Sequence, residues 1–202
     1  MVRAMELTLR EQQAEAVRQR ILGAIAELLE RDGADELTMP LVAETANVSL
    51  RTVYRYYPTR EQLLDAAGRW IGGELLAQGY PQNLDDIADS FEPACREFDL
   101  RPGLVRAMAL SRVGREARRS RRSERLEAIR RALESEVGDL PADDLRQAEA
   151  VLAYLHNMLA YSTLREEHGL SGEEIGAAVA WAVRTLVADL RSRERTESGR
   201  HE

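Results

Sequence analysis

The sequence has one cysteine, no lysine and no long apolar run, and these absences exclude several classes of protein. Cys95 alone cannot form an intrachain disulfide or a zinc knuckle, so nothing indicates an oxidising compartment. No apolar stretch approaches the roughly 18 residues of a membrane-spanning helix. The N-terminus MVRAMELTLREQQ also lacks the apolar core of a signal peptide. We therefore expect a cytoplasmic protein that does not enter a membrane.

The common signatures of catalysis are absent as well. The sequence contains no Gly-rich phosphate loop, no HExxH and no GxSxG, and its three histidines are scattered at positions 156, 168 and 201. We therefore predict that the protein is not an enzyme, holds no metal and needs no cofactor.

The charge balance is acidic, with 28 basic residues, all arginine, against 35 acids and a formal net charge of −7. Such a balance argues against indiscriminate binding to nucleic acid, so any such binding must come from a local cationic patch. Residues 49–64, SLRTVYRYYPTREQLL, form a candidate patch, because they hold three Arg and three Tyr with a single acid.

Apolar residues recur at helical spacing almost everywhere, whereas alternating β patterns and Asn-Gly hairpin signals are absent. We predict an all-α fold of about nine helices, with flexible tails at 1–9 and 194–202. The predicted helices are 11–31, 39–45, a short helix that follows Ser49 and ends before Pro58, 60–78, 84–98, 102–118, 121–137, 142–167 and 172–193.

Helix starts are closely spaced in the first 60 residues. Thr38, Ser49 and Thr59 can each cap a helix N-terminus, and Asn47 tolerates the left-handed backbone of a tight turn. Two short helices joined in this way match a helix-turn-helix, whose second helix enters the major groove of DNA. The spacing predicts a small core that holds the two helices together, formed by Leu41, Val42, Val48, Val53 and Tyr57.

The second short helix then presents its remaining side chains outward, since helix neighbours lie three and four residues apart. Arg51 and Arg55 can reach base edges or phosphates, and the Tyr54 hydroxyl can bond a phosphate. The alternative is that these are ordinary solvated charges on a packed three-helix unit. The candidate DNA-binding residues are Thr38, Ser49, Leu50, Arg51, Thr52, Tyr54, Arg55, Tyr56 and Arg60.

Residues 20–67, RILGAIAELLERDGADELTMPLVAETANVSLRTVYRYYPTREQLLDAA, resemble the TetR family of one-component transcriptional regulators. The shared pattern is a helix, Gly, a Thr-capped helix, Val-Ser, Thr-Val-Tyr-x-Tyr-Tyr, a basic residue, an acid and Leu-Leu. Three positions depart from it. Asn47 replaces the usual Gly, Arg60 replaces the usual Lys, and Pro58 lies just before the cap of the fourth helix.

The resemblance implies a DNA-binding domain, which we place at 10–62, and a helical ligand-binding and dimerisation domain at 63–193. It also implies a homodimeric repressor that a small-molecule effector releases from double-stranded operator DNA. Matched positions would put Thr38, Tyr54, Tyr56 and Arg60 on the DNA backbone, with Leu50, Arg51 and Thr52 nearest the bases. A helical adaptor that binds protein is the alternative, but it would need apolar anchors on the 49–57 face, where Leu50 stands among Arg and Tyr.

The two last predicted helices, 142–167 and 172–193, carry broad apolar surfaces. One face of each helix can pack inside the protomer while another meets a partner. We therefore expect a two-fold, four-helix interface between two copies. A single monomeric bundle, in which both faces are core, is the alternative.

A ligand cavity is expected among apolar residues of the C-terminal region, because such cavities combine an apolar lining with a few polar groups. At helical spacing the same residues also fit a plain core. The candidate lining residues are Trp70, Phe91, Cys95, Phe98, Met108, Tyr154, His156, Met158 and Tyr161.

Residues 112–131 hold nine arginines against three acids. This run can be a second nucleic-acid surface or the solvated faces of two helices. Because charge runs are usually solvated, we predict the second.

Overall fold

The computed structural model describes residues 8–32, 37–75 and 79–198, and over these ranges it contains eleven α-helices and no strand. The all-α prediction is confirmed. Most of the predicted tail 1–9, the end of the predicted helix 60–78 and residues 199–202 lie outside the described residues. The helices are α1 (Leu9–Asp32), α2 (Met39–Thr45), α3 (Leu50–Tyr56), α4 (Arg60–Leu75), α5 (Leu84–Leu100), α6 (Pro102–Leu110), α7 (Arg112–Ala117), α8 (Arg119–Val137), α9 (Ala142–Leu155), α10 (Met158–His168) and α11 (Gly172–Ser198).

The count of about nine helices was wrong, because two predicted helices are each divided. The predicted helix 102–118 breaks at Ser111, which has an extended backbone and caps α7 by accepting a 2.9 Å hydrogen bond from the Gly114 amide. The predicted helix 142–167 breaks at His156 and Asn157. Asn157 is also extended, and its side chain accepts a 3.1 Å bond from the Leu159 amide at the start of α10.

The last helix is longer than predicted, since α11 continues to Ser198 instead of ending at 193. Its final turns are tied to the segment between α8 and α9. Arg193 approaches Asp144 at 3.7 Å, and Glu194 accepts a 3.3 Å hydrogen bond from the Asp139 amide. These contacts hold in helical form a part of the predicted tail.

The caps and the turn of the helix-turn-helix follow the sequence closely. Thr38 accepts a 3.3 Å bond from the Leu41 amide, Ser49 accepts a 3.1 Å bond from the Thr52 amide, and Asn47 has a φ of 52°. The predicted small core is also present. Val42, Val53 and Tyr57 are buried, and Leu41 and Val48 pack against them.

A continuous hydrophobic core joins the first four helices to the rest of the chain. Helix α1 packs on α6, α4 packs on α7 and α8, and α5 lies along α11. None of the described helices is both long and apolar enough to cross a membrane.

Helices α4 and α7 approach closely at Gly68. A Cβ atom at this position would overlap the backbone carbonyl of Ala117. A backbone group cannot move aside as a flexible side chain can, so only glycine allows the two helices to pack at this distance.

Gly68→Ala is therefore expected to destabilise the protein by about 2 kcal/mol or more, because overpacking forces the two helices apart. Gly73→Ala, on the same helix, is the matched control, since its Cβ would meet nothing within 4 Å. That substitution should stabilise by about 0.5–1 kcal/mol through its better helix propensity. Urea unfolding followed by circular dichroism measures both. Equal stabilities would contradict the close packing of α4 on α7.

Candidate functional site

The outward face of α3 carries four exposed side chains, Leu50, Arg51, Tyr54 and Arg55. Val53, on the opposite face, is fully buried and fixes the rotation of the helix against the core. Leu50 and Tyr54 are 39% and 47% exposed although they are largely apolar. The segment LRTVYRY contains no acid. Because α3 is anchored on one side only, its cationic and phenolic side is open to a partner.

The hydroxyls at the start of α3 are partly committed to the helix itself. Ser49 Oγ and Thr52 Oγ1 lie 2.8 Å apart and share a hydrogen bond. The preceding turn is held to α1, because Arg20 donates a 3.3 Å bond to the carbonyl of Asn47. Ser49 and Thr52 thus set where α3 begins and which way it points.

Tyr56 extends this face toward α1. Its half-buried ring lies beneath two guanidinium groups, with Arg18 at 5.4 Å and Arg55 at 5.1 Å from the ring centroid. Cations over an aromatic face attract its quadrupole. Arg18 was not among the candidate residues, since it lies in α1, some 30 residues from the patch in sequence.

Arg60 is placed differently from the expectation that it contacts the DNA backbone. Its Nη1 forms a 2.6 Å ion pair with Glu116 of α7, and its Nε donates a 3.1 Å bond to the carbonyl of Leu37. Glu116 also accepts a 3.0 Å bond from Arg112. These guanidinium groups hold the pKa of the Glu116 carboxyl below its usual value. In this structure Arg60 therefore joins the N-terminal helices to α7.

An interior cavity of about 40 Å³ lies where α4, α5, α6 and α8 meet the break between α9 and α10. It holds only a few water molecules. A pocket for a drug-sized ligand measures about 300–1,000 Å³, so the cavity must widen to admit one. Five of the nine predicted residues line it, namely Phe91, Phe98, Met108, His156 and Met158. The others that line it are Gly68, Gly72, Tyr80, Arg118, Arg121, Arg122, Arg125 and Asn157.

The other four predicted residues lie elsewhere. Trp70 donates a 2.6 Å hydrogen bond to Gln19 and so joins α4 to α1. Burial raises the pKa of Cys95 to about 12, which leaves a protonated core thiol. Tyr161 is buried with its hydroxyl 2.6 Å from Asp99. Tyr154 is half-exposed on the surface of α9.

His156 is the buried titratable group of the cavity. Its Nε2 lies 3.0 Å from Ser90 Oγ, and its ring lies 5.3 Å from that of Phe91. Its Nδ1 is buried and has no hydrogen-bond partner. Burial, assisted by the nearby charge of Arg125, lowers the pKa of His156 to about 4, so the imidazole is neutral at pH 7.

This shift predicts a loss of stability in acid. Unfolded His156 takes up a proton near pH 6.5, whereas folded His156 does so only near pH 4. The contribution is therefore complete above pH 6.5 and is lost as the pH falls toward 4, and it amounts to about 3 kcal/mol. Urea unfolding at a series of pH values should show a shallower loss in His156→Gln than in the unmodified protein. His168→Gln, at an exposed position, is the control, and identical pH profiles for the two variants would contradict the prediction.

The prediction that the arginine run is solvated was wrong for its middle part. Arg118 donates to two carbonyls at the C-terminal end of α6, Met108 at 2.7 Å and Ala109 at 2.9 Å. Arg121 lies over the ring of Tyr80, 5.1 Å from its centroid. The Nε of Arg125 is buried without a partner. Burial, together with the charges of Arg118 and Arg122, lowers the pKa of Arg125 to about 10, so it stays charged at neutral pH.

An open cleft of about 740 Å³ lies on the outer side of the same arginines, among α7, α8, α9 and α10. The cleft and the cavity share Arg118, Arg122, Arg125 and Asn157. These side chains therefore separate a small apolar chamber from a larger opening to solvent.

An exposed apolar surface, here called the α9–α11 face, is formed by Val151, Tyr154 and Trp181, which are 45%, 49% and 73% exposed. The opposite stripe of α11, which includes Val179, is buried against the protomer. Around Trp181 the exposed residues of α11 include small ones, Ala177, Ala178 and Ala188. Trp181 was missed as an interface candidate, since its helix is apolar on several sides and the sequence does not show which side faces outward.

Comparisons with known proteins agree with this geometry. The family model for bacterial regulatory proteins of the TetR family matches residues 21–67, from α1 into α4. Helix-turn-helix transcriptional regulators of Mycobacterium bovis and Mycobacterium tuberculosis are 33% identical over 92 residues, which are 44% of this chain and 44% of theirs. The match thus spans less than half the length of these relatives.

Two further relatives match over most of the chain. The transcriptional repressor KstR of M. tuberculosis is 26% identical over 185 residues, 85% of this chain and 81% of KstR. Among solved structures, NalD, the secondary repressor of the MexAB-OprM multidrug efflux pump of Pseudomonas aeruginosa, has a TM-score of 0.61 at 16% identity. That likeness covers 86% of this chain and 96% of NalD and shows a shared fold. The helix-turn-helix, the helical domain behind it and these matches together show that the chain belongs to the TetR family of transcriptional regulators.

Proposed function

We propose that the protein is a homodimeric repressor that binds double-stranded operator DNA through α3 and leaves it when a small molecule binds the C-terminal domain. The observation that carries the proposal is the exposed, acid-free face of α3 on a chain whose net charge is −7. Residues 10–62 would serve as the DNA-binding domain and residues 63–193 as the ligand-binding and dimerisation domain. Regulators of this family are transcription factors and not enzymes, and the site of action would be the cytoplasm.

The contacts to DNA are assigned by chemistry and position on α3. Arg51 and Arg55 can each bind guanine through two hydrogen bonds or pair with a phosphate. Leu50 can pack on a thymine methyl group, and the Tyr54 hydroxyl can donate to a phosphate oxygen. Ser49, Thr52, Thr38 and Tyr56 support this face and lie where further contacts to the DNA backbone are available.

Two copies are needed because α3 has only seven residues and reads few base pairs alone. The α9–α11 face offers the means of association. Its three exposed apolar side chains, one of them a tryptophan, are of the kind that anchors interfaces. A two-fold axis through this face would bring α9, α10 and α11 of both protomers together and set the spacing of the two α3 helices.

The coupling between ligand and DNA would run through α7. This helix touches α4 at Gly68, holds Arg60 through Glu116, and lies beside the arginines that border the cavity. A ligand that widens the cavity would shift α7 and α8, and α4 would follow because the packing allows little slack. Since the ligand binds the DNA-incompetent state better, it weakens operator binding by the same factor.

Arg60 would exchange Glu116 for a phosphate when the protein binds DNA. Glu116→Gln removes the ion pair, so we expect tighter operator binding at low salt. The slope of log K against log salt should steepen by about 0.9 for each additional phosphate that the protein neutralises, or about 1.8 for a dimer. Glu166→Gln is the matched control, since Glu166 pairs with Arg106 at 2.7 Å in the C-terminal region. If both variants give the same slope, Arg60 does not change partner.

The proposal is tested by selecting bound duplexes from a random pool with the full-length protein. We expect enrichment of an inverted repeat whose half-sites lie about one helical turn or more apart, with two protomers bound to each duplex. A pool that is not enriched, or a single unrepeated site bound by one protomer, would contradict the proposal and would favour the helical adaptor instead.

A further inference from the structure

Four arginines line the interior cavity without any acid among the residues that line it. They are Arg118, Arg121, Arg122 and Arg125. Within residues 8–32, 37–75 and 79–198 none of the four forms an ion pair with a carboxylate, although most other arginines of the C-terminal helices do. Positive charge has thus been gathered at a partly buried position without compensation inside the protomer.

Two of these arginines have a structural role that accounts for their place. Arg118 satisfies the last carbonyls of α6, and Arg121 stacks on Tyr80. Gly72 leaves room for Arg121, since a Cβ there would overlap its side chain. Neither role explains Arg122, nor Arg125 with its unpaired Nε.

The unsatisfied polar atoms concentrate at this cavity. Among the described residues, the buried side-chain nitrogen and oxygen atoms without a hydrogen-bond partner are Arg125 Nε, His156 Nδ1, Ser162 Oγ and Glu194 Oε2. The first two belong to residues that line the cavity. A buried donor left unpaired costs about 1–3 kcal/mol, more if charged, which a bound partner would recover.

The rest of the lining is apolar. Phe91, Phe98, Met108 and Met158 form a wall opposite the arginines, and all four are buried. The wall suits a hydrocarbon chain or a ring system, whereas the guanidinium groups suit a carboxylate or a phosphate, which they bind through paired hydrogen bonds. Methionine side chains can shift as the small cavity widens.

We propose that the ligand of this protein is a small amphipathic anion, whose carboxylate or phosphate is bound by Arg122 and Arg125 and whose apolar body enters the wall of Phe91, Phe98, Met108 and Met158. The ligand enters from the open cleft, whose floor the arginines form, and displaces their side chains as it does so. Arg118 and Arg121 add positive potential, and the free Nδ1 of His156 supplies one further hydrogen bond. The assignment rests on the proposed function only in treating the bound molecule as the effector.

Direct binding to the full-length protein without DNA tests the site. Three matched pairs of probes are titrated by calorimetry below their micellar concentrations: decanoate and decanamide, decyl phosphate and decanol, and 4-phenylbutyrate and 4-phenylbutanamide. At least one anion should bind about tenfold or more tightly than its neutral partner. The carboxylate and phosphate arms show which head group is preferred.

Arg125→Met keeps the length of the side chain and removes an unpaired buried donor, so the variant is expected to fold. It should abolish the advantage of the anion and leave the affinity for the neutral partner nearly unchanged. Arg131→Met, at an exposed position on the same helix and away from the cavity, is the matched control and should keep the advantage. Equal binding of anion and neutral partner in all three pairs, absence of binding by all the anions, or equal behaviour of the two variants would overturn the inference.

The same probes added to the complex with operator DNA separate this inference from the proposed function. An anion that binds through Arg125 but leaves DNA bound would uphold the site and refute its role as the effector site. Release of DNA by a neutral probe as readily as by its anion would uphold effector control and refute the choice of an anion.

Discussion

Arg51→Ala is expected to weaken binding to the selected operator by about 30-fold or more. A bidentate arginine–guanine contact contributes about 1–3 kcal/mol, and a homodimer loses it twice. The variant should also accept other bases at the contacted position, because the discriminating hydrogen bonds are gone. Fluorescence anisotropy at one fixed salt concentration measures the affinity, and repeated selection from the random pool measures the base preference.

Arg96→Ala is the matched control for this experiment. Arg96 lies on α5, is 58% exposed and pairs with Glu92 of its own helix, so the variant loses the same charge away from α3. Its operator affinity should stay close to that of the unmodified protein. If Arg51→Ala lost no more affinity than Arg96→Ala, the outward face of α3 would not be the reading surface.

Trp181→Glu is expected to break the dimer. A buried interface tryptophan often contributes about 2 kcal/mol or more, and a two-fold interface contains it twice, so the dimer dissociation constant should rise by about 1,000-fold. Operator binding should fall in parallel, since each protomer then holds a single half-site. Analytical ultracentrifugation gives the dissociation constant. The fold should persist, because Trp181 is 73% exposed in the protomer.

Leu100→Glu provides the comparison for this variant. Leu100, at the end of α5, is 74% exposed, so the substitution places the same charge at an equally exposed apolar position outside the α9–α11 face. The Leu100 variant should remain dimeric. Dissociation in both variants, or in neither, would contradict the assignment of the interface.

The helix-turn-helix was predictable because its determinants are local. Thr38 and Ser49 each bond an amide three residues later, and the left-handed conformation falls on Asn47. Such interactions depend on sequence neighbours and can be recognised without knowing the rest of the fold.

The helix breaks were not predictable because distant partners stabilise them. The hydrophobic period continues through Ser111 and His156, so the sequence alone favours longer helices. The break at Ser111 is accompanied by Arg118, whose guanidinium satisfies carbonyls at the end of α6. The break after α9 turns His156 toward Ser90 of α5. Both contacts join residues whose proximity depends on the tertiary fold.

The cavity was only half predicted for a similar reason. Apolar residues such as Phe91 and Phe98 were expected inside, and they line it. Its arginines were read as solvated, yet a signal was available, since Arg118, Arg122 and Arg125 are spaced by four and three residues and so share one helix face. The sequence could not show that this face is turned toward the cavity.

The ratio of affinities for the selected operator and for a random duplex of equal length tests the central claim most directly. Measured at physiological salt with the unmodified protein, the operator should bind about 1,000-fold more tightly or better, because base contacts from α3 add to the binding that any phosphate backbone provides. Equal affinities would mean that α3 reads no sequence and would contradict the assignment of this protein as an operator-specific repressor.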